Sequence, residues 1–230
     1  MKALLLCAGL GTRLRPLTYH VPKCLVPIKG KPLLDIWLEQ LGRVGVTEYL
    51  INTHHLVDIV TSHIDNSSYK DRISLVHEVS LLGTAGTLAA NIDFFDSEVD
   101  DAWLIHADNY CLADLKDLKL AHQNRPKGCI MTMLTFKTDN PQSCGIVELD
   151  NDGVVIAFHE KVEKPPGNQA NGAIYLLAPE FFHKFRKEFM GMTDFSKQVI
   201  EACLGKIFAV ETKAMLVDVG TPEAYASVQS

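Results

Sequence analysis

An α/β fold, with a mostly parallel central sheet covered by helices, is predicted for this 230-residue chain from three observations. Short apolar runs alternate with segments of helical periodicity, and the connections between them are short. The first run, Ala3-Leu4-Leu5-Leu6-Cys7, holds no polar residue, as expected of a strand buried on both faces. The length suits one large α/β domain or two small ones, and no clear linker or internal repeat divides the chain.

Taken in order, the opening strand runs into Ala8, Gly9 and Gly11, followed at once by Thr12, Arg13 and Arg15. Small residues let backbone N–H groups come close to an anion, and arginine adds a fork of donors that fits phosphate oxygens. Pro16 and Pro22 exclude a continuous helix, so Lys23 is expected on a folded-back loop. A helix is then expected from Lys31-Pro32 to Gly45, with Leu34, Trp37, Leu38 and Leu41 at helical spacing, which makes Trp37 a core residue. Residues 48–52 read as a second strand, 57–64 as a helix and 73–76 as a third strand. His54 and His55, with no third ligand beside them, read as loop residues.

Between that strand and a helix through Leu88, Ala89 and Ile92 lies Gly83-Thr84-Ala85-Gly86, where backbone can approach a flat ligand. A helix start capped by Thr84 is the structural alternative. Residues 102–106 form another buried strand that ends at Ala107-Asp108-Asn109. Ligands of open parallel sheets gather outside the carboxyl ends of strands, so Asp108 is well placed for chemistry, unless it only caps a turn. A surface helix is expected over 114–123 and a strand over 129–136. The pattern then becomes β-rich: strands at 145–149 and 154–158 flank a hairpin turn at Asn151-Asp152-Gly153. The second strand leads into Glu160-Lys161, and Asn171 to Tyr175 returns as another. The connector over 163–168 is expected to be mobile. A helix near 194–204, a strand over 207–210, the segment Leu216-Val217-Asp218-Val219-Gly220 and a helix over 223–228 complete the reading.

Composition narrows the function classes. A net charge of −6 without a basic run argues against a nucleic-acid groove, although local cations can still hold a small anion. The opening apolar run is too short to span a membrane, and no signal-peptide pattern follows it. The six cysteines are scattered with no Cys-x-x-Cys pair, which reads as reduced thiols in cytoplasm. The dinucleotide fingerprint lacks its third glycine here, because Thr12, Arg13 and Leu14 follow Gly11; this disfavours an oxidoreductase. The Gly-Lys-Ser/Thr phosphate loop is absent.

What remains is Gly9-x-Gly11-Thr12-Arg13-x-x-Pro16-x-Thr18, then Pro22-Lys23. This resembles the signature of the sugar-nucleotide pyrophosphorylases, the sugar-1-phosphate nucleotidyltransferases. The resemblance continues in order through Leu82 to Gly86, Asp108, Gly145, Glu160-Lys161, Asn171-Gly172 and Asp218-x-Gly220, nearly the whole chain. The Leu-Gly-Thr-Ala-Gly segment is closest to mannose- and heptose-1-phosphate guanylyltransferase-like members. Two departures stand out: Ala107 replaces a frequent glycine, and Val162 follows Glu160-Lys161 where many members have proline.

The resemblance implies a single Rossmann-like, GT-A-like domain, its nucleotide-binding half over 1–110 and its sugar-phosphate half over 111–230. Leu6, Ala8, Gly9, Gly11, Thr12, Arg13, Lys23, Glu78, Gly83, Thr84, Ala85 and Gly86 would hold the nucleotide. Asn109, Gly145, Glu160, Lys161 and Asn171 would hold the sugar phosphate, and Asp108 and Asp218 would share Mg²⁺. Arg13, Lys23, Asp108 and Lys161 would be the catalytic groups. The implied partners are a nucleoside triphosphate and a sugar 1-phosphate, in a cytoplasmic enzyme of glycan-precursor synthesis that could be a homo-oligomer. GTP is the expected donor. The ionised carboxylate of Glu78 can accept both N1–H and N2–H of guanine, whereas uracil, thymine and adenine would each present it with an acceptor. A uridylyl- or thymidylyltransferase, and a non-catalytic nucleotide sensor, are the alternatives.

Overall fold

The computed structural model describes residues 1–95 and 100–229. In chain order the elements are β1 (Lys2–Leu6), β2 (Pro27–Ile28), β3 (Lys31–Pro32), α1 (Leu33–Arg43), β4 (Glu48–Thr53), α2 (Val57–Asp65), β5 (Ile73–His77) and α3 (Thr84–Ala90). There follow β6 (Ala102–His106), β7 (Asn109–Cys111), α4 (Leu115–Gln123), β8 (Met131–Lys137), β9 (Gly145–Leu149), β10 (Val155–Glu160) and β11 (Gln169–Leu177). The chain continues with α5 (Pro179–Glu188), a π-helical turn at Phe195–Ile200, β12 (Ile207–Thr212), β13 (Leu216–Asp218) and α6 (Pro222–Ser227). The fold is α/β, with a large mixed sheet and helices. Among the described residues no helix is long and apolar enough to cross a membrane.

Two compact units make up the chain. The first gathers Met1–Leu81, Ile105–Leu112 and Met215–Ser230; the second gathers Leu82–Leu104 and Ala113–Ala214.

In the first unit β1, β4 and β5 pair in parallel, with Leu4 opposite Leu50 and Leu50 opposite Ser74. Ala3, Leu4 and Leu5 on β1 and Tyr49, Leu50 and Ile51 on β4 are all buried, the two-faced burial that their unbroken apolar runs predict. Helix α1 buries Leu33, Leu34, Trp37, Leu38 and Leu41, each stabilising the fold by ~1.5–3 kcal/mol. Trp37 is core, as expected, and its indole N–H donates to the Asn109 carbonyl at 2.8 Å. Gln40 donates to the Cys111 carbonyl at 2.9 Å, so one helix face anchors both ends of β7. The helix starts two residues later than expected. Lys31 and Pro32 instead pair with Ile28 and Pro27 in a short antiparallel ribbon, and Pro32 is extended at ψ 136°. Strand β7 pairs antiparallel with β13, which sets Asp218 opposite Asn109 and Leu216 opposite Cys111.

In the second unit β8 lies between antiparallel β11 and parallel β12, while β9 and β10 form the expected hairpin. Its turn is held by the Asp150 carboxylate, which accepts the N–H groups of Asp152 and Val154 at 2.9 Å each. Helix α5 had no counterpart in the sequence reading. Its signal was a proline at the first turn followed by Phe181, Phe182 and Phe185, all of them buried.

Candidate active site

The glycine-rich turn after β1 is followed by a 3₁₀ turn at Thr12–Leu14. Gly11, at φ 62°, lends its carbonyl to the Leu14 N–H at 2.9 Å and to the Thr18 hydroxyl at 2.6 Å. These two bonds fold the chain back, and a second 3₁₀ turn, Lys23–Leu25, directs Lys23 inward. Lys23 is 7% exposed, a rare position for lysine unless it is paired. It is paired twice: Nζ lies 2.7 Å from Asp108 Oδ2 and 3.1 Å from Asp218 Oδ1. Arg13 reaches the same centre, its Nη2 3.5 Å from Asp218 Oδ2.

These four charged groups meet because three stretches of the first unit converge. Asp108 follows β6, Asp218 ends β13, and the β7–β13 ribbon brings them together. The Val219 N–H donates to the Asp108 carbonyl at 3.0 Å and closes the ribbon's end. Burial disfavours the ionised Asp108 carboxyl. The Lys23 charge outweighs that penalty, aided by His106 and the Lys23 hydrogen bond, and holds Asp108 below the usual carboxylate range. Lys23 is held above the usual lysine range: burial opposes its charge, and Asp108 and Asp218 more than offset it. Cys7, beside this centre, is not a nucleophile poised as thiolate. Its hydrogen bond with Cys24 and its burial push the thiol well up.

Asp108 and Asp218 both turn toward the Lys23 ammonium, so the centre gathers two carboxylates around one cation, an all-oxygen donor set. That chemistry suits a hard cation such as Mg²⁺, which commonly takes one or two carboxylates and fills its other positions with water and phosphate oxygens. Asp108 and Asp218 therefore fit the ion that the resemblance implies.

Glu78, just beyond β5, is 6% exposed and does not point to solvent. Its Oε1 accepts from Asn52 Nδ2 at 2.8 Å, and Asn52 Oδ1 accepts the Cys7 N–H at 2.7 Å. Sequence reasoning missed Asn52. Its signal was a polar residue near the carboxyl end of a buried strand, the same placement that drew attention to Asp108. His54 and His55 are loop residues that contact backbone carbonyls, those of Glu78 at 2.7 Å and Thr18 at 3.1 Å.

The remaining sequence-predicted residues fall into two places. Leu6, Ala8, Gly9, Thr12 and Asn109 belong to the first unit, with Asn109 buried on β7 next to Asp108. Gly83 to Gly86, Gly145, Glu160, Lys161 and Asn171 belong to the second. There the N–H groups of Ala85 and Gly86 both point to the Thr193 carbonyl, at 3.0 and 3.4 Å. Gly83, not Thr84, occupies the N-cap of α3, and the Thr84 hydroxyl instead accepts the Phe195 N–H at 2.8 Å.

Gly83 sits at φ 79°, ψ 166°, a region open almost only to glycine, and a Cβ there would overlap the Thr193 carbonyl oxygen. Gly83→Ala is expected to lower stability by at least ~2 kcal/mol, from backbone strain plus overpacking. Denaturant unfolding measures this; a loss under ~0.5 kcal/mol, the usual span of inconsequential substitutions, would mean that the turn at Gly83 is not rigid.

Gly145 lies opposite Glu160 in the β9–β10 ladder, where a Cβ would overlap the Phe158 ring and come within 2.7 Å of Glu160 Oε2. Its missing side chain makes room for that carboxylate. Lys161 turns out of the strand at φ 52°, donates its N–H to the Cys144 carbonyl at 3.1 Å and leaves an exposed Nζ 3.6 Å from Glu160 Oε1. The Asn171 amide donates to the Tyr175 hydroxyl at 2.7 Å, and burial pushes that phenol far above its ordinary value.

Comparison with known proteins identifies the family and the fold. The family described as Nucleotidyl transferase matches residues 2–230. A D-glycero-alpha-D-manno-heptose 1-phosphate guanylyltransferase of Campylobacter jejuni is 30% identical over 232 residues, covering 98% of this chain and 97% of its own. A mannose-1-phosphate guanyltransferase beta-A of Xenopus laevis is 29% identical over 230 residues and 98% of this chain. The chain spans 62% of that relative's length. Among solved structures, one described as a glucose-1-phosphate thymidylyltransferase of Bacillus anthracis superposes with a TM-score of 0.84 at 23% identity, covering 100% of this chain and 94% of its own. HddC of Yersinia pseudotuberculosis, solved with GMP-PN, gives 0.76 at 23% identity, covering 99% of this chain and 97% of its own. Both likenesses show the shared fold.

Proposed function

Because the chain belongs to the nucleotidyl transferase family, we propose that it transfers a guanylyl group from GTP to a sugar 1-phosphate, with Mg²⁺, and releases pyrophosphate. The observation that carries this reading is Lys23 held between Asp108 and Asp218 with Arg13 alongside. Both reactants are anions, so the barrier includes charge repulsion, and this cluster supplies the cations and the metal carboxylates that offset it.

In the reaction, an oxygen of the sugar 1-phosphate attacks the α-phosphorus in line. The bond to the bridging oxygen breaks, and pyrophosphate leaves with the electron pair. No protein nucleophile is needed. Arg13 and the backbone of Gly11 and Thr12 hold the triphosphate and face the charge that grows on the leaving group. Lys23 neutralises phosphate oxygens from its buried position, so its charge costs no reorganisation as the reaction proceeds. Lys161 grips the incoming sugar phosphate, and Glu160 accepts hydroxyls of the sugar ring. Asp108 and Asp218 hold Mg²⁺, which supplies Lewis-acid stabilisation of the reacting phosphate when bound.

The base preference rests on Glu78. Its burial supports a reading role, since a desolvated acceptor discriminates more strongly than one in water. The guanylyltransferase names of the mannose and heptose relatives support the same donor.

Pyrophosphate release, screened with nucleoside triphosphates against a panel of sugar 1-phosphates, tests the whole reading. GTP is expected to exceed UTP, dTTP, CTP and ATP in kcat/KM by at least about tenfold, the cost of mispairing a buried charged acceptor. Glu78→Gln is expected to erase most of that preference. A wild-type preference for UTP or dTTP overturns the guanylyl assignment, and no release with any pair overturns the reaction.

A further inference from the structure

The Cys7–Asn52–Glu78 chain deepens the base-reading role proposed for Glu78 and rests on it. Asn52 is 3% exposed at the carboxyl end of β4, and both groups it bridges are buried. The orientation of its amide is not arbitrary. The Cys7 N–H is a donor, so the side-chain atom 2.7 Å from it must be the oxygen. The nitrogen is thereby turned toward Glu78 Oε1, 2.8 Å away, where a carboxylate requires a donor. Cys7 is the last residue before Ala8, Gly9 and Gly11, the turn that carries the triphosphate cradle. One side chain thus joins the root of that cradle to the carboxylate proposed to read the base.

We propose that Asn52 is a positioning residue for nucleobase selectivity. It never touches the reacting atoms. It fixes the Glu78 carboxylate in register with the triphosphate turn, so that the phosphates and the base edge are measured from one origin. The buried β1–β4 ladder, Leu6 opposite Asn52, keeps the two ends of the link in place. Glu78 is tied from its other side by its own backbone, whose N–H donates to the Thr53 carbonyl at 2.8 Å. With the main chain held, the Asn52 hydrogen bond orients the carboxylate.

Asn52→Asp tests this with a nearly isosteric change. One Asp oxygen still accepts the Cys7 N–H, and the other faces Glu78 oxygen to oxygen, which expels its carboxylate from register. The ratio of kcat/KM for GTP to that for UTP, with one accepted sugar 1-phosphate, is expected to fall at least about fivefold, the effect of one misplaced buried hydrogen bond. KM for the sugar phosphate is expected to change less than twofold. Asn52→Ala, which removes the tether without adding charge, is expected to lower the ratio in the same direction and replaces the first variant if Asn52→Asp does not fold. The double variant Asn52→Asp with Glu78→Gln restores the bond with donor and acceptor exchanged. It is expected to recover thermal stability without recovering GTP selectivity.

If Asn52 is merely structural, its variants lose melting temperature and lower all triphosphates equally, with the GTP-to-UTP ratio unmoved, and the proposal falls. If Glu78→Gln shifts the ratio while both Asn52 variants leave it intact, base reading stands and the positioning role falls alone. If Glu78→Gln leaves the ratio intact, base reading by Glu78 falls and takes the proposal with it.

Discussion

Asp108→Asn is expected to lower turnover by about a hundredfold or more, and Asp218→Asn by a comparable factor, while each variant stays folded. The magnitude is that of removing one preorganised electrostatic contact from a phosphate-transfer centre. Asparagine keeps the size of aspartate and an oxygen that can still accept from Lys23, so the 2.7 and 3.1 Å contacts have a neutral replacement. What disappears is the negative charge, and with it half of the proposed ligand set for Mg²⁺. Both variants should therefore need more magnesium to reach half-maximal rate, a change that damaged packing alone would not produce. The measurement is pyrophosphate release across a magnesium series, with circular dichroism to check the fold. Near-normal rates and magnesium dependence in both variants would falsify the metal assignment.

Lys23→Met is expected to combine a turnover loss of about a hundred- to a thousandfold with a stability loss of ~1–2 kcal/mol. Methionine fills much of the same buried volume, so the loss traces to charge: two carboxylates are left facing each other without a counterion. The stability figure sits below the usual cost of breaking a buried pair because Asp108 and Asp218 keep 35% and 54% of their side-chain surface in water. Its pH dependence follows from the shifts at the centre. Asp108 is depressed, so its contribution is present above the unfolded carboxyl value of ~4 and fades as pH falls through the lower folded value. Lys23 is raised, so its contribution is complete below the unfolded value of ~10.4 and fades as pH rises through the higher folded value. Between about pH 5 and 9, then, this centre's contribution to wild-type stability should be constant in denaturant unfolding. In Lys23→Met the Asp108 carboxylate has lost the counterion that depresses it, so the variant's deficit should shrink toward acid pH as that group protonates, and a deficit that grows toward acid would overturn the pairing.

Much of the first unit was legible because its signals are local. Unbroken apolar runs marked β1, β4 and β6, and the spacing of Leu34, Trp37, Leu38 and Leu41 marked α1. The convergence of Lys23, Asp108 and Asp218 was suggested by motif order and strand ends, not by any local pattern, because it depends on the β7–β13 register. Two short strands escaped for a related reason. β2 and β3 have two residues each and borrow their pairing from a turn at Lys29-Gly30, which a proline-led helix start resembles in sequence. Asn52 escaped because one polar residue near a strand end looks like any edge residue until its two partners are known. In the sequence Gly83 reads as room for a ligand. In the fold its conformation and the nearby Thr193 carbonyl already demand glycine, so that residue type alone says nothing about binding.

The β7–β13 ribbon also dictates when the centre can exist during biosynthesis. Arg13 and Asp218 meet across 205 positions of sequence, and Lys23 and Asp218 across 195. Such distant pairings form late, since loop closure must precede any reward from the contact. On a ribosome adding roughly 5–20 residues per second, the stretch bearing Lys23 and Asp108 emerges well before Asp218. The centre proposed to hold magnesium is thus incomplete until β13 is made, because a chain stalled before it lacks one of the two carboxylates that pair with Lys23.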